Sequence, residues 1–363
     1  MRFPAHCILL TVLTATLCSS LGRAQIKNLQ VYFIDVEGGQ ATLHVAPSGQ
    51  SLLVDTGWPG NNNRDADRIS QAVKDAGLKQ IDYALITHYH TDHVGGMPQL
   101  IKEVKVGEFI DHGPNVENDE MAPEGYDAYL KNLGQIKRVV AKPGDRIPIQ
   151  GLNVEVLAAA GNHMDQAMPG AGKPNLYCAS EPNWPADHTE NAASLGVLVT
   201  YQNFRFLDLG DLTKDKEIAL VCPKNLIGTV DLFLVSHHGM AMSNTKALVD
   251  ALHPRVAIME NGPKKGDSPE AWQTVHDSPG LQDLWQLHYT ASSGPDHNVE
   301  KDEIANLDGG SDGHYIKVTA QADGTFSVLN SRNKNERTYK KKIVTQKRSA
   351  VSANSSRDVS PAA

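Results

Sequence analysis

Residues 84–96 read ALITHYHTDHVGG, which sets His88, His90, Asp92 and His93 within six positions directly after an apolar run. If this segment were helical, His88 and Asp92 would share a face while His90 and His93 pointed elsewhere. A loop leaving a strand suits the spacing better, because residues two apart then project to one side. His88 and His90 would converge on one point while the chain turns through Asp92 and His93 toward a second, with Gly95 and Gly96 permitting the turn. Neutral imidazoles beside a carboxylate are the ligand set of Zn²⁺ and related divalent ions. Without a cation, mutual repulsion opposes protonation of three crowded histidines. Polar groups left unpaired at the end of a buried strand are costly, so the cluster reads as a metal site.

Working outward, LQVYFIDV, ATLHVA and SLLVDTG before the cluster alternate like antiparallel strands, with PSGQ supplying hairpin chemistry between the second and third. Ile69, Ala72, Val73 and Ala76 follow helical spacing and Gly77 supplies the stop. IDYALIT is the buried strand that runs into the cluster, and Met97, Leu100, Ile101 and Val104 mark the next helix. From Gly107 to Glu190 the pattern weakens into Gly, Pro and Asn-rich sequence, with a strand expected at 152–158 and a long loop around it that is either functional or disordered. Pattern returns with SLGVLVTY and FRFLDLGD, a helix near 214–221, VDLFLVS ending on His237-His238-Gly239, a helix near 244–252 and the strand RVAIME. Residues 270–288 read as helix interrupted at Pro279-Gly280, and YIKVTA with TFSVLN closes on a hairpin. Two successive strand-then-helix halves predict an α/β fold built as an αββα sandwich.

The later strand ends complete the donor set. FRFLDLGD ends on Asp211, a carboxylate able to bridge two ions, and VDLFLVSHHG ends on His237 and His238.

Composition bounds the rest. The chain has 363 residues, 40% hydrophobic and 21% charged, enough for a substantial core. Residues 1–24 join a basic start to an apolar stretch and a small-residue ending, as a secretory signal cleaved near Ala24 does; the mature protein is then secreted or periplasmic. That stretch is shorter than the ~20 residues of a spanning helix, so no transmembrane span is expected in the mature chain. Two cysteines, Cys178 and Cys222, remain outside the leader; a bridge between them and two unpaired thiols are both compatible with the spacing. From Ser331 onward nine Lys/Arg stand against two acidic residues, and the whole chain is −8, so residues 25–330 form an acidic body followed by a basic tail, 331–363, expected to be disordered. An acidic body disfavours nucleic acid as a partner. Oligomeric state leaves no mark in the sequence.

These residues together resemble the metallo-β-lactamase superfamily, whose HxHxDH signature stands here as His88-Tyr89-His90-Thr91-Asp92-His93. Within it the chain is similar to the ComEC-like hydrolase domains and their stand-alone relatives, through FIDVEGGQATL, SLLVDTG, ENAASLGVLV, FLDLGD, LVSHHGM and AIMENGP, over roughly residues 28–320. The resemblance implies the αββα fold of that family and an exported metal-dependent hydrolase using activated water on a phosphodiester or other small ester-type substrate. A lactone, a β-lactam, or a role as a metal-retaining binding protein without turnover are the alternatives. It implies His88 and His90 as ligands of a first ion, Asp92 and His93 of a second, Asp211 as the bridge and His238 as the last ligand, with His237 as the alternative to it. Asp92 and Asp211 take the catalytic roles, and the cofactor is one or two divalent ions, Zn²⁺ or else Mn²⁺. The chain departs from the family in two places. ENAASLG replaces the usual third first-site histidine, leaving His188, Glu190 or Asn191 for that place. The opening reads Asp35-Val36-Glu37-Gly38-Gly39, and Asp35 and Asp55 are expected to orient the histidines through outer hydrogen bonds. Lys264 and Lys265 form a basic pair that either meets a phosphate or lies in a solvated loop, and Tyr177 and Trp184 are candidate lid residues.

Overall fold

The structure, a computed structural model, describes residues 28–117, 122–308 and 312–341. Two sheets face each other across a shared core. Among the described residues the first sheet has nine strands, in the order Glu336–Tyr339, Phe326–Asn330, Ile316–Ala320, Leu29–Phe33, Thr42–Val45, Ser51–Val54, Ile81–Leu85, Val106–Asp111 and Lys137–Val140. Its strands pair antiparallel up to Ser51–Val54 and parallel beyond. The second sheet runs Ile304–Asn306, Asp283–His288, Val256–Met259, Leu232–Leu234, Phe204–Asp208, Gly196–Tyr201, Asn153–Ala159 and Arg146–Ile147, and is parallel through its first five strands.

Strand alternation explains the layers, since successive side chains leave opposite faces. Val31 and Phe33 meet Phe204, Phe206, Leu232 and Ile258 between the sheets. Residues one step out of phase, Tyr32, Ile34 and Leu53, pack instead under helices Arg64–Asp75, Met97–Glu103 and Ala122–Leu133. Leu198, Leu207, Phe233 and Ala257 do the same under Lys214–Val221, Lys246–Leu252 and Pro269–His276. The result is the expected αββα sandwich. No helix among the described residues is long and apolar enough to cross a membrane.

Three readings of the sequence change. Residues 283–288 form a central parallel strand, not the second part of a helix; a strand buried on both faces shows no period-two signal. The tail does not begin at Ser331: Glu336–Tyr339 pairs with Phe326–Asn330, Tyr339 stacks on Phe326 at 5.0 Å, and Arg337 reaches Asp283 and Glu303. Lys341 likewise pairs with Asp231, so two of the tail's cations meet carboxylates of the acidic body; residues 342–363, like the leader, lie outside the described residues. The weak segment also holds a helix, Ala122–Leu133. Cys178 and Cys222 are joined in a disulfide.

Candidate metal centre

The cluster sits where strands of both sheets end. Strand Ile81–Leu85 delivers Thr87 and His88, and His90 opens a single helical turn, Thr91–Val94, that carries Asp92 and His93. Gly95 and Gly96 are needed for closeness more than for conformation: both have right-handed helical backbones, yet a Cβ on Gly96 would lie 2.0 Å from the Thr56 carbonyl. From the second sheet, Phe204–Asp208 leads to Asp211, and Leu232–Leu234 leads to His237 and His238. Both histidines are left-handed, at φ 54° and 55°, a conformation in which histidine is enriched over bulkier residues. Asn244 holds that turn by accepting from the Ser236 N–H at 3.1 Å and donating to its carbonyl at 2.9 Å.

Asp92, His93, Asp211 and His238, all buried, bring one ligand atom each within 4.8 Å of one another. Nε2 of His93 lies 3.2 Å from Asp92 Oδ2, from Asp211 Oδ2 and from His238 Nε2. His238 Nε2 lies 3.2 Å from Asp92 Oδ2 and 3.5 Å from Asp211 Oδ1. Four donors at ~2.0–2.1 Å from a tetrahedral ion are separated by roughly 3.3 Å, so the set fits a divalent cation. The buried Asp211 Oδ1 has no hydrogen-bond donor, as expected of an oxygen shaped for a cation.

Outer partners fix the ring orientations. Asp55 Oδ2 meets His93 Nδ1 at 2.7 Å and accepts from Thr87 Oγ1 at 2.6 Å, while Oδ1 accepts from the Thr87 N–H at 2.8 Å. The Glu260 carbonyl meets His238 Nδ1 at 3.1 Å. Both contacts place the proton on Nδ1 and turn Nε2 inward. Asp35, by contrast, does not orient the cluster: it bonds His288 Nε2 at 2.6 Å and Arg68 at 2.8 Å.

Electrostatics follow from this crowding. Burial opposes ionisation of Asp92, but His93 and Lys265 outweigh it and hold the carboxyl well below the usual range. Burial likewise opposes ionisation of Asp211, and His237, His93 and His238 overcome it. Burial and the neighbouring His93 and His90 push His88 well below an ordinary histidine. Burial also lowers His237, to about 4. For His93, burial works toward the neutral form, but Asp211, Asp92 and Asp55 raise it well above the ordinary value.

The first-site residues are less complete. His88 Nε2 lies 3.0 Å from His90 Nδ1 and 3.9 Å from Asp211 Oδ2. His237 Nε2 comes to 3.3 Å from Asp211 Oδ2, so both members of the His pair face the centre. Glu190 is spent elsewhere: its oxygens face His112 Nε2 at 3.1 Å and accept the N–H groups of Tyr89 at 3.0 Å and Val116 at 2.7 Å. His188 is exposed, and Asn191 is buried with an unpartnered Oδ1. Trp184 lies under Lys214 Nζ at 4.3 Å and Tyr177 stands beside the disulfide, so neither touches the cluster. One residue was not legible as a site residue: Glu117, 3.1 Å from His90 Nε2. Lys265, which the sequence offered as one of a basic pair meeting a phosphate or lying in a solvated loop, bonds Asp92 Oδ2 through its ammonium across 173 residues. No local pattern reports a contact at that separation.

Residues 35–161 match the Metallo-beta-lactamase superfamily. Over that stretch the chain carries a metallo-beta-lactamase superfamily domain. Relatives of this superfamily domain include Recombination protein 2 of Haemophilus influenzae, 24% identical over 64% of this chain and 24% of that protein. ComE operon protein 3 of Bacillus subtilis is 24% identical over 64% of this chain and 28% of that protein. The chain therefore spans about a quarter of the length of each of these two. A UPF0173 metal-dependent hydrolase of Cupriavidus necator is 24% identical over 66% of this chain and 77% of that protein.

Proposed function

We propose that the protein is an exported, metal-dependent hydrolase acting on a phosphodiester or other small ester-type substrate, with Zn²⁺ as its cation. The observation that carries the reading is the buried Asp92, His93, Asp211, His238 set, with its ligand atoms 3.2–3.5 Å apart across the edges measured. A divalent cation bound there supplies Lewis acidity and makes water a nucleophile near neutral pH. The chain's own residues do the remainder. Asp55 and the Glu260 carbonyl aim His93 and His238 inward. Asp92 and Asp211, held as carboxylates by the neighbouring histidines and Lys265, orient the attacking water.

The Lys265 ammonium beside Asp92 supports a substrate with negative charge next to the scissile bond. The acidic body supports a small substrate over a long polyanion. Export is supported by the leader-like start and by the Cys178–Cys222 disulfide, which persists in oxidising compartments.

The test is metal analysis of the purified chain followed by turnover of bis-p-nitrophenyl phosphate, nitrocefin and a lactone. Hydrolysis of the phosphodiester, lost on chelation and in Asp92→Asn, is expected. Turnover of nitrocefin or the lactone alone moves the substrate assignment, and retained metal without any turnover makes the protein a binder.

A further inference from the structure

A histidine can serve a cation only if its ring proton sits on the nitrogen turned away from the centre. For His88 the acceptor of that proton is Thr87 Oγ1, which gives its own proton to Asp55 at 2.6 Å and so accepts from Nδ1 at 3.1 Å. For His90 the acceptor is Glu117. A carboxylate has only lone pairs to offer, so the approach of its Oε2 to His90 Nε2 at 3.1 Å places the proton on Nε2. His88 Nε2 and His90 Nδ1 are then both bare, and they face each other at 3.0 Å. Two lone pairs at that distance repel, whereas two imidazole ligands of one tetrahedral ion stand roughly 3.3 Å apart, so the pair fits a divalent cation.

Glu117 is set in place by the backbone around it. Its side chain, like that of His90, is only 12% exposed. Its N–H donates to Asn115 Oδ1 at 2.9 Å, and the preceding Val116 N–H donates to Glu190 Oε1 at 2.7 Å. The other Glu190 oxygen accepts the N–H of Tyr89, the residue between His88 and His90, at 3.0 Å. One fully buried carboxylate therefore ties the loop that carries Glu117 to the loop that carries the two histidines. The Tyr89 ring adds a second tie, 4.7 Å from the ring of His112 at the start of the Glu117 loop. Glu190 stands in the stretch where the superfamily resemblance places a third histidine, and its oxygens are spent on this tie.

We propose that Glu117 is the positioning residue of His90: it holds the ring proton on Nε2 and so aims Nδ1, together with His88 Nε2, at a divalent cation. This rests on the metal-dependent reading above and deepens it. The test titrates the chelator-stripped full chain with Zn²⁺ by competition calorimetry, and follows the Co²⁺-loaded chain by proton NMR, for the wild type, Glu117→Ala, Glu117→Gln and His90→Ala. The wild type is expected to take two ions; Glu117→Ala weakens one uptake about 10–100-fold and leaves the other within about twofold. Glu117→Gln, whose amide oxygen still accepts the Nε2 proton, falls between the wild type and Glu117→Ala. In the Co²⁺ form, the imidazole N–H signal that His90→Ala lacks persists against solvent exchange in the wild type and is lost to exchange in Glu117→Ala. A Glu117→Ala chain, folded by its circular dichroism, that keeps both uptakes or weakens both alike overturns the proposal. So does a Gln variant no better than Ala, or a His90 proton as persistent in Glu117→Ala as in the wild type. A wild type that takes a single ion overturns it and leaves the hydrolase reading standing, while absence of any ion binding sinks both. The wild-type stoichiometry needs no variant, so the proposal stays exposed even where a variant does not fold.

Discussion

Asp55 illustrates how much of the centre depends on residues that would touch no ion. It is fully buried, left-handed at φ 61°, and divides its carboxylate between Thr87 and His93. Removing such an outer partner commonly weakens metal binding by about 10–100-fold, so Asp55→Asn should lower Zn²⁺ affinity by that factor in competition with a chromophoric chelator. His238→Ala should abolish tight binding in the same assay. The His and Asp members of the cluster were legible because they are adjacent in sequence and end apolar runs. Glu117 was not, and the contact of Lys265 with Asp92 was not, because both come from contacts across the fold.

At the scale of elements, Glu217 ties helix Lys214–Val221 to the start of helix Lys246–Leu252 by accepting the N–H groups of Asn244 and Thr245, each at 2.7 Å. Burial pushes its carboxyl up to about 7. A folded pKa above the unfolded one means stability that is fully present below the ordinary glutamate range and is lost as pH rises through about 7. Between about pH 5 and about pH 8 the wild type should therefore lose on the order of 2 kcal/mol relative to Glu217→Gln, read from urea unfolding of both proteins. The disulfide clasps the Leu176–Ser180 turn to the end of helix Lys214–Val221, across a sequence separation of 44. Replacing both cysteines by serine should cost ~2–4 kcal/mol in the same experiment, with reductant affecting only the wild type. Elements were legible where one face met solvent. The strand Asp283–His288 was not, because burial on both sides erases the alternation; nor was Glu336–Tyr339, whose polar residues become a strand only when an open sheet edge offers them partners.

On the scale of the molecule, the centre couples the two sheets, with Asp55, Asp92 and His93 from one side and Asp211 and His238 from the other. An ion bound only by the folded chain stabilises it by mass action, about 2.7 kcal/mol at a concentration a hundredfold above Kd. Chelation should accordingly lower the melting temperature by several degrees, and Asp92→Asn should remove the difference between metal-loaded and chelated samples. A melting temperature indifferent to chelator would contradict a centre shared between the sheets.

The sequence by itself determined the αββα architecture and the cluster at 88–93, because hydrophobic periodicity and adjacent donors are local properties. Only the tertiary structure decided that both His237 and His238 face inward, that Glu190 is spent on His112, and that Lys265 reaches Asp92. Those outcomes depend on where strand ends from different sheets meet, and a chain's local pattern carries no record of distances set by packing.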